Sequence, residues 1–252
     1  MQHRAYPHRV YAHRGVSALA PENTLAAIKL CKEHNIRWFE CDIDVIGDGT
    51  VILTHDSTLD RCTNRSGGYY HLNQSDLSEI DAGSWFGEAF QGEPLPTLKQ
   101  LVQVMNQYQL NANIEVKSCE AGKAMALKLL DGLQHELTAL DPEREVIISS
   151  FNHLFLAELK KRCPQISVAC LYESYQSLDD AFTVLEWVGA DYIHLSEQGL
   201  TRETVTRFNN AGYKVAVYTI NNVMRANELF NWGVFAVFSD VPHLFCEQYK
   251  IS

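Results

Sequence analysis

At 252 residues the chain is long enough to bury a large core without disulfide or metal staples, and barrels often use this length for one domain. Its 46% hydrophobic and 21% charged residues exclude a disordered tail or a fibre. With 31 acids against 21 bases and a formal charge of −10, it lacks the basic footprint of a nucleic-acid binder. The same balance argues against docking on an anionic membrane. The opening MQHRAYPHRVYAHRG is polar and has no apolar signal region, and no run approaches the roughly 18 apolar residues of a membrane span. Seven cysteines, scattered and never spaced as CxxC, predict free thiols in a reducing compartment and hence a soluble, cytoplasmic protein.

Strand-like and helix-like segments alternate along the chain. A first strand is expected over Arg9–Ala12, then a helix from Thr24 to about His34, with Leu25, Ile28 and Leu30 along one side. Trp38–Ile46 reads as the second strand, and Gly47-Asp48-Gly49 as a hairpin turn into Val51–Leu53. The third lies over Ala112–Val116, followed by a helical stretch from Ala121 to about Leu140 that Asp141-Pro142 stops. Later strands centre on Val146–Ile148, Val168–Leu171, Tyr192–Leu195, Val215–Tyr218 and Ala236–Phe238, each followed by a helical pattern, the last over Val241–Tyr249. Thr97, Ser177, Thr201 and Asn222 are suitable N-caps. About eight such units predict an α/β fold of the (β/α)8 TIM-barrel class, with an open doubly wound sheet as the alternative. Residues 57–96 break the rhythm and read as an insertion after the second strand, within one domain spanning 1–252. Trp38, Trp187 and Trp232 are assigned to core packing. Trp85 and Phe86 suit either a wall of the site or a plug inside the insertion.

In a barrel, side chains at the carboxyl ends of the strands converge on one mouth. Those ends here carry His13-Arg14-Gly15, Glu40 and Asp42, Thr54-His55-Asp56, and Glu115 and Lys117. Alternation along a strand makes Glu40 and Asp42 face one way, as it does Glu115 and Lys117. Carboxylates crowded into a barrel interior repel one another and lose hydration unless a cation joins them. One such acid is accounted for by pairing with Lys117 or Arg14. Glu40, Asp42 and Glu115 together point to a hard divalent ion, Mg²⁺ or Ca²⁺, held by oxygens. His13 and His55 beside them can run general acid–base chemistry near neutral pH. Arg14 and Lys117 offer clamps for an anion. Metal, acid, base and anion clamps are what phosphodiester cleavage requires.

The same residues fall in motifs: HRG at 13–15, PENT at 21–24, ECDID at 40–44, THD at 54–56, EVK at 115–117, Ser150-Phe151, VYTIN at 217–221 and FSDVP at 238–242. In combination, and over nearly the whole chain, they resemble the glycerophosphodiester phosphodiesterases. The resemblance implies a TIM barrel with a small insertion after the second strand. It implies His13 and His55 as the acid–base pair, Glu40, Asp42 and Glu115 as metal ligands, and Arg14 and Lys117 on the phosphate. It further implies attack by a glycerol hydroxyl, with His55 as first base and His13 as first acid, and a cyclic phosphate then opened by water. Products would be glycerol 3-phosphate and an alcohol such as choline or ethanolamine. Members often carry Trp where Tyr218 stands in a wall of the substrate site, so head-group preference is left open. For Asn23 a turn or helix N-terminal role is set beside a catalytic one. A related phospholipase-type enzyme and an inactive phosphodiester-binding barrel are the other readings. The small-molecule diester is the expected partner, with no nucleic acid and no stable membrane association; oligomeric state is unreadable from these motifs.

Overall fold

A computed structural model describes residues 9–173 and 178–248. Eight strands run parallel: β1 (Arg9–Ala12), β2 (Trp38–Val45), β4 (Asn111–Val116), β5 (Val146–Ser150), β6 (Ser167–Tyr172), β7 (Tyr192–Ser196), β8 (Lys214–Tyr218) and β9 (Ala236–Ser239). Each pairs with the next, and β1 pairs with both β2 and β9, which closes the ring. Helices α1 (Leu25–Glu33), α2 (Leu98–Tyr108), α3 (Lys123–Leu137), α4 (His153–Arg162), α5 (Ala181–Val188), α6 (Arg202–Asn210), α7 (Val223–Trp232) and α8 (Pro242–Gln248) separate the strands. The fold is therefore the expected (β/α)8 barrel, not an open sheet. The remaining strand, β3 (Val51–Leu53), folds back antiparallel on the end of β2, with Ile43 opposite Leu53 and Val45 opposite Val51.

Local chemistry accounts for the element ends. Thr97 accepts the Gln100 N–H while the Gln100 side chain accepts that of Thr97, a reciprocal capping box that starts α2. Thr201 and Asn222 cap α6 and α7 as expected. Ser177, and Tyr249 at the end of the last expected helix, lie outside the described residues. The helix expected over 121–140 is shorter, Lys123–Leu137. Gly122 just before it has φ +83°, which sets the chain's entry before α3 begins.

Two apolar layers result from strand alternation. Tyr11, Trp38, Ile147, Ala169, Tyr192, Ala216, Ala236 and Phe238 form one buried cluster, and Trp38 shares its face of β2 with Glu40 and Asp42. The cluster fills the barrel beneath the mouth. The opposite strand faces, with Phe39, Cys41, Ile43, Ile114 and Ile148, pack against the helices. Burying them supplies most of the driving force for closure. Trp187 departs from the expected core packing, being 82% exposed, because it lies on the outward side of the last turn of α5. Trp232 is half-buried under the Arg225 guanidinium, 4.7 Å from its ring.

Residues 57–96 sit between β3 and α2, and their regular structure is two 3-10 turns, Gln74–Glu79 and Glu88–Phe90. Leu59, Tyr69, Leu77, Ile80 and Leu95 pack on Ile46 and Ile52 of the hairpin as a separate apolar cluster. Tyr69 and Tyr70 donate to the buried Asp44 carboxylate at 2.9 and 2.6 Å, tying this segment to β2. Trp85 bonds the Ala82 carbonyl and meets Phe86 edge-on, and Phe86 meets Phe90 likewise. That stack lies within the segment, so nothing here assigns it to the site wall.

Candidate active site

Every residue of β2 is buried, so the acids on its inner face can stay only where other charges meet them. The register of β2 and β4 sets Asp42 opposite Glu115 and Glu40 opposite Asn113. Glu40, Asp42 and Glu115 each offer a carboxylate oxygen within 4.8 Å of the others. Lys117 reaches across the strand end, 2.7 Å from Glu115 and 3.4 Å from Asp42. Burial opposes the Asp42 charge, but Lys117, Arg14 and His55 outweigh it and hold the carboxyl below its ordinary value. Glu115 is pushed up by burial and by Asp42 despite Lys117. Glu40 rises furthest, to about 8, through burial and then the Asp42 charge. Three converging carboxylate oxygens, with Glu40 and Glu115 disfavoured as anions by burial and by Asp42, fit a hard divalent cation.

The β1 end turns sharply above them. Arg14 has φ 56° and Gly15 φ 82°, and this bend points the Arg14 N–H at Glu40 Oε2, 2.8 Å away. Arg14 NH1 donates to Glu22 at 2.7 Å, and its Nε lies 3.5 Å from Asp42. A Cβ on Gly15 would sit 2.7 Å from Ala27 Cβ and 2.8 Å from the Ala27 carbonyl carbon. Gly15→Ala combines that clash with a disfavoured φ, and is expected to cost about 1–3 kcal/mol, read as a lowered urea midpoint. Asn23, also at φ 56°, clasps Asp42 from both sides: its Nδ2 donates to Oδ2 at 2.9 Å and its Oδ1 accepts the Asp42 N–H at 3.0 Å. It thus holds one of the three acids in place, while Thr24 caps α1.

Both histidines lean on a carboxylate. His13 Nδ1 is 2.7 Å from Asp240 Oδ1, and its Nε2 is 3.9 Å from Glu40. His55 Nδ1 is 2.7 Å from Asp56 Oδ1. Burial opposes the His13 imidazolium, but the Asp240 bond and the Glu40 charge overcome it and raise its pKa. His55 is displaced downward, because burial together with Arg14 and Lys117 outweighs Asp42 and Asp56. Asp240 in turn accepts from Asn221 and Ser17. Burial resists its charge, yet the His13 and Asn221 bonds hold it down to about 2.

All eight expected residues therefore stand at carboxyl ends of barrel strands or on the segments that follow. His13, Arg14, Glu40, Asp42, Glu115 and Lys117 form one bonded group, with His55 near Asp42. Tyr218 closes β8; its hydroxyl donates to the Tyr172 carbonyl at 2.8 Å and its ring meets Phe151 and Phe238 edge-on. Sequence reasoning missed Glu22, Arg61 and the support given by Asp56 and Asp240. Glu22 lies inside the PENT motif and Asp240 inside FSDVP, so their signal was present without a role attached.

Residues 13–244 match the model of the glycerophosphoryl diester phosphodiesterase family. A glycerophosphodiester phosphodiesterase of Caldanaerobacter subterraneus is 31% identical over 92% of this chain and 94% of its own. One from Bacillus subtilis is 32% identical over 93% and 84%. The solved structure of an Oleispira antarctica phosphodiesterase, in complex with the product sn-glycerol-3-phosphate, is 33% identical and superposes with a TM-score of 0.89 over 97% of each chain. Among the described residues no helix is long and apolar enough to cross a membrane. With a family match from the first strand end to the last helix, and full-length relatives above 30% identity, this chain belongs to the glycerophosphoryl diester phosphodiesterase family of phosphoric diester hydrolases.

Proposed function

We propose that the protein hydrolyses small glycerophosphodiesters, such as glycerophosphocholine and glycerophosphoethanolamine, to glycerol 3-phosphate and an alcohol, with a divalent cation, Mg²⁺ or Ca²⁺. The observation that carries this is the placing of three crowded carboxylates between two carboxylate-held histidines and two cationic side chains. The product bound to the Oleispira phosphodiesterase supports the glycerol 3-phosphate half. Glu40, Asp42 and Glu115 would hold the cation, which supplies positive charge against the phosphoryl oxygens. Arg14 and Lys117 add donors for the same oxygens. Asp56 takes the Nδ1 proton of His55 in a hydrogen bond, leaving Nε2 to accept the proton of a glycerol hydroxyl. That hydroxyl forms a bond to phosphorus while the head-group oxygen leaves with a proton from His13. Water then opens the cyclic phosphate with the roles reversed: His13 takes the water proton and His55 returns one to the glycerol oxygen. Tyr218 and Phe151 present aromatic faces to the head group, suited to a quaternary ammonium.

The test is release of glycerol 3-phosphate from a panel of glycerophosphodiesters by chelator-treated protein, with Mg²⁺ or Ca²⁺ added back. Turnover that depends on the added ion is expected; undiminished turnover after chelation would remove the cation from the reading. We further read residues 1–252 as one domain carrying 57–96 as its insertion. We place it in the cytoplasm, a reading supported by the six free cysteines among the described residues.

A second reading, cleavage of lyso-lipids, is favoured by one observation. Leu19, Phe151, Leu154 and Met224 are large, apolar and exposed, and all lie on segments that follow barrel strands, on the mouth side. Micellar lysophosphatidylcholine turned over faster than glycerophosphocholine would favour it over the first.

A further inference from the structure

We propose that Arg61 is a positioning residue for His55, acting through Asp56 and anchored on the barrel by Glu22. The inference rests on the reading of His55 as a proton-transferring group.

Arg61 lies five residues beyond Asp56 on the segment that leaves β3, and its side chain is 46% exposed. An exposed arginine is ordinarily free to sample many rotamers. This one has nearly all its donors committed. Its Nε and NH2 donate to the two oxygens of Asp56 at 2.6 and 3.0 Å. Its NH1 and NH2 donate to the two oxygens of Glu22 at 2.7 and 2.8 Å. Glu22 comes from the loop after β1, 39 residues away, and is itself tied to Arg14 at 2.7 Å. Two bidentate pairs on one guanidinium fix its plane in two directions.

The purpose of such a clamp follows from what Asp56 does. A carboxylate orients an imidazole only as well as it is oriented itself, and Asp56 is half-exposed beside His55 on a loop rather than on a strand. Asp240, which plays the matching part for His13, has Asn221 and Ser17 to hold it. Asp56 has Arg61 instead. Bidentate geometry gives such a network some stabilising effect. Arg61 and Asp56 are, however, partly exposed and lie outside the apolar clusters, so the network is placed to order the mouth more than to hold the fold together. It is well suited to restricting the angle at which His55 Nε2 faces the mouth. With its donors spent on Asp56 and Glu22, Arg61 is also a poor direct ligand for phosphate.

The experiment compares Arg61→Ala and Arg61→Lys with the unaltered protein on glycerophosphocholine. Both are expected to lose kcat by about 10–100-fold, the scale seen when a partner that orients a functional group is removed. KM and the melting temperature are expected to stay near their original values. Lysine is expected to rescue poorly, since an ammonium cannot make two forked pairs. Guanidinium ion added to Arg61→Ala is expected to restore part of kcat, and to do nothing for His55→Ala. In a His55→Ala background, the further change Arg61→Ala is expected to cost no additional activity. A raised KM with unchanged kcat would make Arg61 a substrate contact and overturn the proposal. So would a melting temperature that falls in step with activity, or losses from Arg61 and His55 that multiply. Full activity of His55→Ala itself would instead refute the reading on which the inference rests.

Discussion

Alanine at His13 or at His55 is expected to lower kcat for glycerophosphocholine by about 10²- to 10⁴-fold each, the usual contribution of a positioned acid or base. The melting temperature should change little, since both side chains sit at the mouth rather than in the apolar layers. The two losses are expected to differ in their pH signature. His55 is displaced below its ordinary value, so near neutrality it is mostly unprotonated and ready to accept a proton. His13 is displaced upward by Asp240 and Glu40, so its imidazolium persists further toward neutral pH. Activity therefore falls at low pH as His55 takes up a proton, and at high pH as His13 loses one. Of the two carboxylates that raise His13, Asp240 is not among the proposed cation ligands, so its contribution remains when a cation is bound. The residual activity of His55→Ala should lack the acidic limb and that of His13→Ala the alkaline limb. Measurement of kcat against pH for the three proteins decides it; unchanged limbs would reverse or remove the assignment.

Glu40→Gln is expected to remove activity and yet stabilise the chelator-treated protein. Glu40 is almost wholly buried and faces two other carboxylates. Its amide counterpart keeps an oxygen for the Arg14 N–H and is neutral without having to take up a proton. The sign follows from linkage. The folded-state pKa, near 8, lies above the unfolded value of roughly 4.3, so the folded chain binds more protons between the two. The contribution of this group to stability is full below the unfolded value and is lost as pH rises toward 8. Each unit of that displacement corresponds to about 1.4 kcal/mol, so the effect on the apo protein at pH 7 is on the order of a few kcal/mol. Melting curves from pH 5 to 8 should show a decline in the unaltered protein that is shallower in Glu40→Gln. Saturating Mg²⁺ or Ca²⁺ should narrow the gap, adding about 2.7 kcal/mol at a hundred times Kd to a site with all three acids. A melting temperature indifferent to both ions would argue that Lys117 and Arg14 alone neutralise the cluster.

The barrel and the cluster of acids were legible because both follow from the period of a strand. Once Trp38–Val45 is a strand, Glu40 and Asp42 must share a face, and the same holds for Glu115 and Lys117 on β4. What stayed hidden depends on contacts between loops, which carry no period. Arg61 and Glu22 are 39 residues apart and meet only because two mouth segments cross. Asn23 was set between turn and catalysis; its left-handed backbone and its paired bonds to Asp42 make it both a turn residue and a support of the site. Trp187 was misplaced because aromatic content argues for burial on average, whereas which side of a short helix faces out is decided by packing around the whole ring.

The pairing of β1 with β9 also has a meaning for how the protein is made. His13 is synthesised 227 residues ahead of Asp240, and the bond between them is formed across the seam that shuts the ring. A nascent chain holding seven of the eight barrel strands would already contain Glu40, Asp42, His55 and Glu115. It would still lack the carboxylate that raises the His13 pKa. Support for His13 is thus tied to synthesis of β9, and a chain stopped before that strand would lack it by construction of the seam.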